Sequence, residues 1–217
     1  MALPIIYRTS PELLTSYNYI DVASGTGYIL FYGANVSSEN ISGIYILTNN
    51  SFYSNNIATA LRTDSSSFVL LHDHDYEVVM NKSQVLRGLA LFSMTMGFLP
   101  TGAQTPHIYF IAKLRKWDGT TETEIASGTS DDFTQPAGAG TYSKTKSIQI
   151  NVPTTKIKKG ETLRLTIEIW VKEETGNLCA FGYGHDPKDR NDDGTYKVIN
   201  DTDTTILEAH IPFRIDQ

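Results

Sequence analysis

The sequence predicts an all-β protein: an antiparallel β-sandwich, jelly-roll-like, of about ten strands with at most one or two short helical turns. Three observations predict it. Apolar and polar residues alternate with period two through most of the apolar segments. Those segments are short and bounded by Gly, Asn, Asp and Ser. Nowhere do strand-like runs alternate with amphipathic helical ones, as a parallel α/β sheet would require.

The elements follow in order. "SPELL" (10–14) carries Ser10 as a cap and Pro11 at the first helical position, enough for one turn. "GYILFYGA" (27–34) and "GIYILT" (43–48) are rich in aromatic and β-branched residues and read as strands. In "VLRGLALFSMTMGFL" (85–99) Leu86, Ala90, Phe92, Met94, Met96 and Phe98 form an apolar face, giving one long strand or two broken near Gly88. "HIYFIAKLRKW" (107–117) runs into Asp118-Gly119, a two-residue hairpin signal. "KSIQINV" (146–152) alternates, the chain turns at Gly160, and "LRLTIEIWVK" (163–172) alternates again. The last strand, "TILEAHIPFRI", contains Pro212, which cannot donate to a ladder and places it at a sheet edge or with a free side there. The loosest stretch, 127–143, joins strands rather than domains, so residues 1–217 read as one domain. Residues 1–16 form either an N-terminal arm able to lie across a neighbouring subunit or the domain's own first edge strand.

A chain of 217 residues can bury a core without covalent staples. Its single cysteine, Cys179, lies among Leu178, Ala180 and Phe181 and reads as a buried, inert thiol. The net charge of −6 and pI near 5.3 exclude a general nucleic-acid binder, which needs a basic surface. The basic clusters Lys113, Arg115 and Lys116, and Lys156, Lys158 and Lys159, alternate with apolar residues as solvated strand faces or turns do. No apolar run reaches the length of a membrane span. The opening "MALPIIYRTSP" lacks the pattern of a secretory signal. The N-x-S/T triplets at Asn35, Asn40, Asn49, Asn81 and Asn200 are those expected by chance in a chain this rich in Asn, Ser and Thr.

Two stretches could carry chemistry. In "HDPKDRNDDGTY" (185–196) Asp189, Asn191 and Asp193 fall at the spacing of calcium-loop ligands, Gly194 supplies the bend and Thr195 offers a carbonyl. The twelfth position is Asn200 rather than Glu and the flanks are strands, so any calcium site here is a free-standing loop completed by Asp201 or Asp203. A solvated turn explains the same residues. In "LLHDHDYE" (70–77) His72 and His74 point the same way on a strand, which can begin a transition-metal site, with a third ligand to come from His107 or His185. A polar loop entering a strand is the alternative. No nucleophile elbow, phosphate loop or H-E-x-x-H is present. Glu168, Glu173 and Glu174 could be imagined as glycosidase carboxylates, but any acidic β protein offers such pairs. The tyrosines, many near the N-terminus, suit either core and rim packing or an interface. Trp117 and Trp170 fall on outward faces, as sheet packing, a subunit contact or a sugar platform.

The succession "ILTNNSFYSNNIAT", "YFIAKLRKWDGTTETEIASGTS", "IKKGETLRLTIEIW", "FGYGHDPKDR" and "IPFRID" resembles a β-sandwich type found among virion structural proteins of tailed bacterial and archaeal viruses. The resemblance implies a head-decoration, minor capsid or fibre-associated role, with no catalytic residues to carry over. The expectation is therefore a non-enzymatic virion structural protein, acting through subunit contacts as a homo-oligomer or in a capsid lattice. It would reside in the virion and pass through host cytoplasm during assembly. No cofactor is required and calcium is the candidate ion; neither nucleic acid nor membrane is a partner. The alternative is a carbohydrate-binding module, with a glycan resting on exposed Tyr or Trp beside a calcium loop.

Overall fold

The computed structural model describes residues 15–16, 25–38, 41–191 and 195–214. Within them the chain forms thirteen strands and no helix. The predicted turn at 10–14 and all of the arm except Thr15–Ser16 lie outside the described residues.

One layer is built on the 16-residue strand β6 (Gln84–Leu99). Along one edge it pairs β10 (Tyr142–Ile157). Its other edge is shared by β13 (Leu207–Arg214) and β12 (Cys179–Gly184). Beyond β13 come β2 (Thr26–Ser38) and β3 (Ile41–Thr48). Beyond β12 comes β4 (Ala58–Thr63), and β1 (Thr15–Ser16) pairs β2. The second layer is β5 (Val69–Val79), β11 (Thr162–Glu173), β7 (Pro106–Trp117) and β8 (Glu122–Thr129), with β9 (Phe133–Thr134) on β7. Pairing is antiparallel except for a single parallel bridge, Ile46↔Glu77, which joins β3 to β5 and so one layer to the other. The predicted antiparallel sandwich is the observed architecture.

Period two explains the core. In β11 Leu163, Leu165, Ile167, Ile169 and Val171 are fully buried, as are Leu86, Ala90, Phe92, Met94, Met96 and Phe98 of β6. Both rows enter one apolar cluster with β2, β7 and β13. Gly88 (φ 122°) does not break β6, which runs through it.

One local expectation is resolved and another is corrected. β13 is not an edge strand, because it pairs both β2 and β6. Pro212 is tolerated because the β6 ladder shifts register between His210 and Phe213, and there the proline ring faces Gly88, where a Cβ would sit 3.4 Å from Pro212 Cβ. The free side was the correct alternative. The β7–β8 connection spans 118–121 rather than two residues. Asp118 Oδ1 accepts hydrogen bonds from the Thr120 and Thr121 amides, and Gly119 takes φ 102°.

On the outer face of the second layer the strands place side chains in transverse rows. Leu70, Trp170 and Tyr109 are register partners, the two rings 6.4 Å apart and parallel. Further along, Lys113 pairs Glu168, and Arg164 bridges Glu77 and Glu122. Arg164 also covers the Trp117 ring. This face is thus occupied by its own ion pairs and stacked rings.

Candidate functional site

Alternation along β5 sends His72, His74 and Tyr76 to the inner face and Asp73, Asp75 and Glu77 to the outer one. His72 is 5% exposed and Tyr76 is fully buried, whereas His74 is half-buried at the rim. β3 adds Tyr45, stacked on His74 with centroids 4.0 Å apart. β12 adds Tyr183, and the residue just past its end is His185, both fully buried. β4 adds Thr59, the register partner of Tyr183. Close approach of β4 and β12 depends on Gly182, where a Cβ would run into the Thr59 carbonyl.

The three imidazoles share one pattern. Tyr183 Oη lies 2.6 Å from His74 Nδ1 and 2.9 Å from Tyr76 Oη, so His74 ends a hydrogen-bonded phenol chain. A ring N–H of His72 donates to the Phe181 carbonyl, while its Nε2 is buried without a partner. Thr59 Oγ1 holds His185 Nε2 at 2.7 Å, while its Nδ1 is buried without a partner. Burial disfavours the charged forms, assisted at His72 by the neighbouring His74 and at His185 by His74 and His72. The pKa of His72 and of His74 falls to about 4, and that of His185 to about 3. At neutral pH the cluster therefore holds three uncharged imidazoles. Of the two third partners considered for His72 and His74, the fold brings His185; His107 lies on the outer face with Asp132 and Glu174.

The stretch that follows His185 is a structural anchor. Asp186 is fully buried, accepting from the Ser54 amide at 3.1 Å and from Arg190 Nε at 2.7 Å. The guanidinium and amide donors hold its carboxyl below the usual carboxylate range against the cost of burial. Asp189 adopts φ 52°, and its Oδ1 accepts from Thr204 Oγ1 (2.8 Å) and the Thr205 amide (2.6 Å). Of the other calcium-loop candidates, Asn191 and Thr195 are exposed and Asp193 lies outside the described residues. No three His, Cys, Asp or Glu side chains are gathered to hold an ion among the described residues.

The remaining candidates are engaged elsewhere. Glu173 is fully buried and ties a turn, accepting from the Thr105, Thr175 and Asn177 amides. Glu168 accepts from Lys113 and from the Trp170 indole. Cys179 is buried and its thiol is pushed up to about 12 by desolvation, as its neighbours implied. Sequence reasoning missed Tyr45, Thr59, Tyr76 and Tyr183 as members of the site. Spacing did carry a signal, since Tyr76 continues the His72–His74 alternation and Tyr183 sits two residues before His185.

No protein-family model matches the chain, and no curated protein matches it. Among solved structures it is similar to a CocE/NonD family hydrolase from Staphylococcus aureus, with 14% identity over 88% of this chain and 37% of that one at a TM-score of 0.47. An alpha-amino acid ester hydrolase matches with 7% identity over 84% of this chain and 36% of that one, at a TM-score of 0.50. The chain thus spans little more than a third of the length of these hydrolases. The structure of infectious bursal disease virus, Gx strain, matches at a TM-score of only 0.26, with 10% identity over 93% of this chain and 52% of that one. The match to the alpha-amino acid ester hydrolase corrects the expectation of a non-enzymatic virion structural protein. At such identities the likeness is one of fold, a β-sandwich that occurs as part of larger hydrolytic proteins.

Proposed function

We propose that this chain is a hydrolase-type β-sandwich module whose chemistry takes place at the imidazole–phenol cluster. The observation that carries the reading is the convergence of His72, His74 and His185 with Tyr45, Tyr76 and Tyr183, each imidazole uncharged and held at one nitrogen. Buried polar atoms without partners are uncommon in folded proteins and call for an occupant or a role. A neutral imidazole can serve hydrolysis in two ways: it accepts a proton from water, or it coordinates an ion that makes water acidic. A phenol beside it can donate to the oxygen on which charge develops. The hydrolases of similar fold support the same class of reaction.

The test is turnover of chromogenic carboxylic esters and aminoacyl anilides by the full chain. Turnover above buffer is expected, at least ten-fold lower in His74→Ala and unchanged in His107→Gln, with circular dichroism confirming the fold of each variant. Absence of turnover, together with histidine resonances that no substrate analogue perturbs, would remove the reading.

A further inference from the structure

We infer that Tyr183 fixes His74 in the tautomer that carries its proton on Nε2, so that His74 meets a substrate as a hydrogen-bond donor to a carbonyl oxygen; the donor's part in turnover rests on the reading that the cluster is the chemical centre. The assignment follows from counting hydrogens along the phenol chain. Tyr183 Oη has two partners, Tyr76 Oη at 2.9 Å and His74 Nδ1 at 2.6 Å, and one proton to give. Among the described residues Tyr76 Oη has Tyr183 as its hydrogen-bond partner and no other. Were His74 Nδ1 to donate to Tyr183, one of the two buried phenols would keep an O–H without an acceptor, an arrangement that folded proteins avoid. Tyr76 donating to Tyr183, and Tyr183 to His74 Nδ1, satisfies both hydroxyls. Nδ1 is then an acceptor, and the single proton of an uncharged imidazole sits on Nε2.

That places a donor where a substrate can meet it. His74 is half-buried at the rim, and its Nε2 has no hydrogen-bond partner among the described residues. Burial keeps the ring uncharged at neutral pH, with a pKa of about 4. Tyr45, stacked on His74 with centroids 4.0 Å apart, holds the plane of the ring. The hydrogen bond from Tyr76 polarises Tyr183 and strengthens its hold on Nδ1. The neighbouring ring on β5 is of the opposite kind. His72 gives its ring N–H to the Phe181 carbonyl, so its Nε2 keeps a lone pair. The two rings stand 5.4 Å apart, one offering a donor and the other an acceptor. The group opposite His74 Nε2 is therefore an acceptor, an ester or amide carbonyl oxygen, and neither an ammonium nor an amide N–H. An uncharged imidazole N–H can polarise such a carbonyl and stabilise the charge that develops on its oxygen. His74 is thus the donor of the proposed hydrolysis rather than its base, and Tyr183 is a positioning residue.

Spectroscopy and turnover of the full chain test it together. Long-range proton–nitrogen correlation spectra of the isotope-labelled protein at neutral pH should show His74 Nε2 as the protonated nitrogen and Nδ1 as an unprotonated, hydrogen-bonded one, a readout that needs no variant. Tyr183→Phe should shift the Nδ1 resonance and lower kcat at least three-fold while KM stays within about two-fold, with circular dichroism confirming the fold. His74→Gln, whose side-chain amide also donates, should retain at least three-fold more turnover than His74→Ala; a base at this position would leave the two equally inactive. A protonated Nδ1, an Nδ1 resonance unmoved by Tyr183→Phe, or His74→Gln no more active than His74→Ala beside an active unsubstituted protein would overturn the inference and leave the hydrolytic reading in place. The Nε2–H tautomer without any turnover would uphold the assignment made by Tyr183 and remove the hydrolytic reading.

Discussion

Lowering the pH from 7.5 to 5 should destabilise the fold through the buried imidazoles, by an amount that follows from their surroundings. An unperturbed histidine titrates near ~6.5. In the folded chain the value falls to about 4 for His72 and about 3 for His185. The folded-state values are depressed, so between them and ~6.5 the unfolded chain binds the protons. Stability is full above the unfolded value and is lost as the pH falls toward the folded ones. At pH 5 the unfolded imidazoles are almost fully protonated, whereas the folded ones are about one-tenth protonated or less. The loss is about 2 kcal/mol for each of these two residues, about 4 kcal/mol together. Half-buried His74, also brought to about 4, adds a smaller share because solvent screens it. Against a typical stability of roughly 5–15 kcal/mol this is a large fraction. Urea denaturation at pH 7.5, 6 and 5 and constant ionic strength measures it, with histidine ring resonances followed in parallel. Equal stability at pH 7.5 and 5, or His72 and His185 titrating near ~6.5, would refute the reasoning.

Four further outcomes are expected. Asp186→Ala leaves the Ser54 amide and the Arg190 side chain without a buried carboxylate, so chemical denaturation should register a loss of about 3 kcal/mol or more. Gly182→Ala forces β4 and β12 apart at the Thr59 carbonyl; a loss of about 1–3 kcal/mol is expected, with the environment of His185 changed in its ring resonances. Asp189→Ala removes the acceptor for Thr204 and Thr205, and the melting temperature should fall equally in calcium and in EDTA; a difference between the two would reinstate the calcium loop. Cys179, with its thiol pushed up to about 12, should react with a thiol reagent only at the rate of unfolding, as absorbance kinetics at several urea concentrations would reveal.

Much of the fold was legible because period two is a local property. Any strand with one face in the core writes its burial into alternate residues; β11 and β7 do so without interruption over their inner faces, and β6 does so from Ala90 to Phe98. Pro212 was legible as an irregularity, but its remedy was not, because that depends on Gly88, more than a hundred residues away in sequence. The site divides in the same manner. His72 and His74 announced themselves by spacing on one strand, whereas Tyr45, Thr59, Tyr183 and His185 join them only through the order of strands. Asp186 and Asp189 were read together as part of a metal-like stretch. One is buried and tied to Arg190, the other tied to Thr205 across the loop, and composition cannot distinguish those fates from solvent exposure.

The pairing of β13 with β2 also governs when the fold can come into being. Residues 207–214 lie between β2 and β6 and fill the centre of their layer. While the chain emerges from the ribosome, β2 and β6 wait with apolar residues such as Phe31 and Phe92 unshielded, until residues 207–214 arrive. Long-range pairings of this kind form slowly and leave strand edges open in the interval. Residues 207–214 must therefore be synthesised before this layer can close, and the interval just before closure is when the chain has most need of dilution or a chaperone.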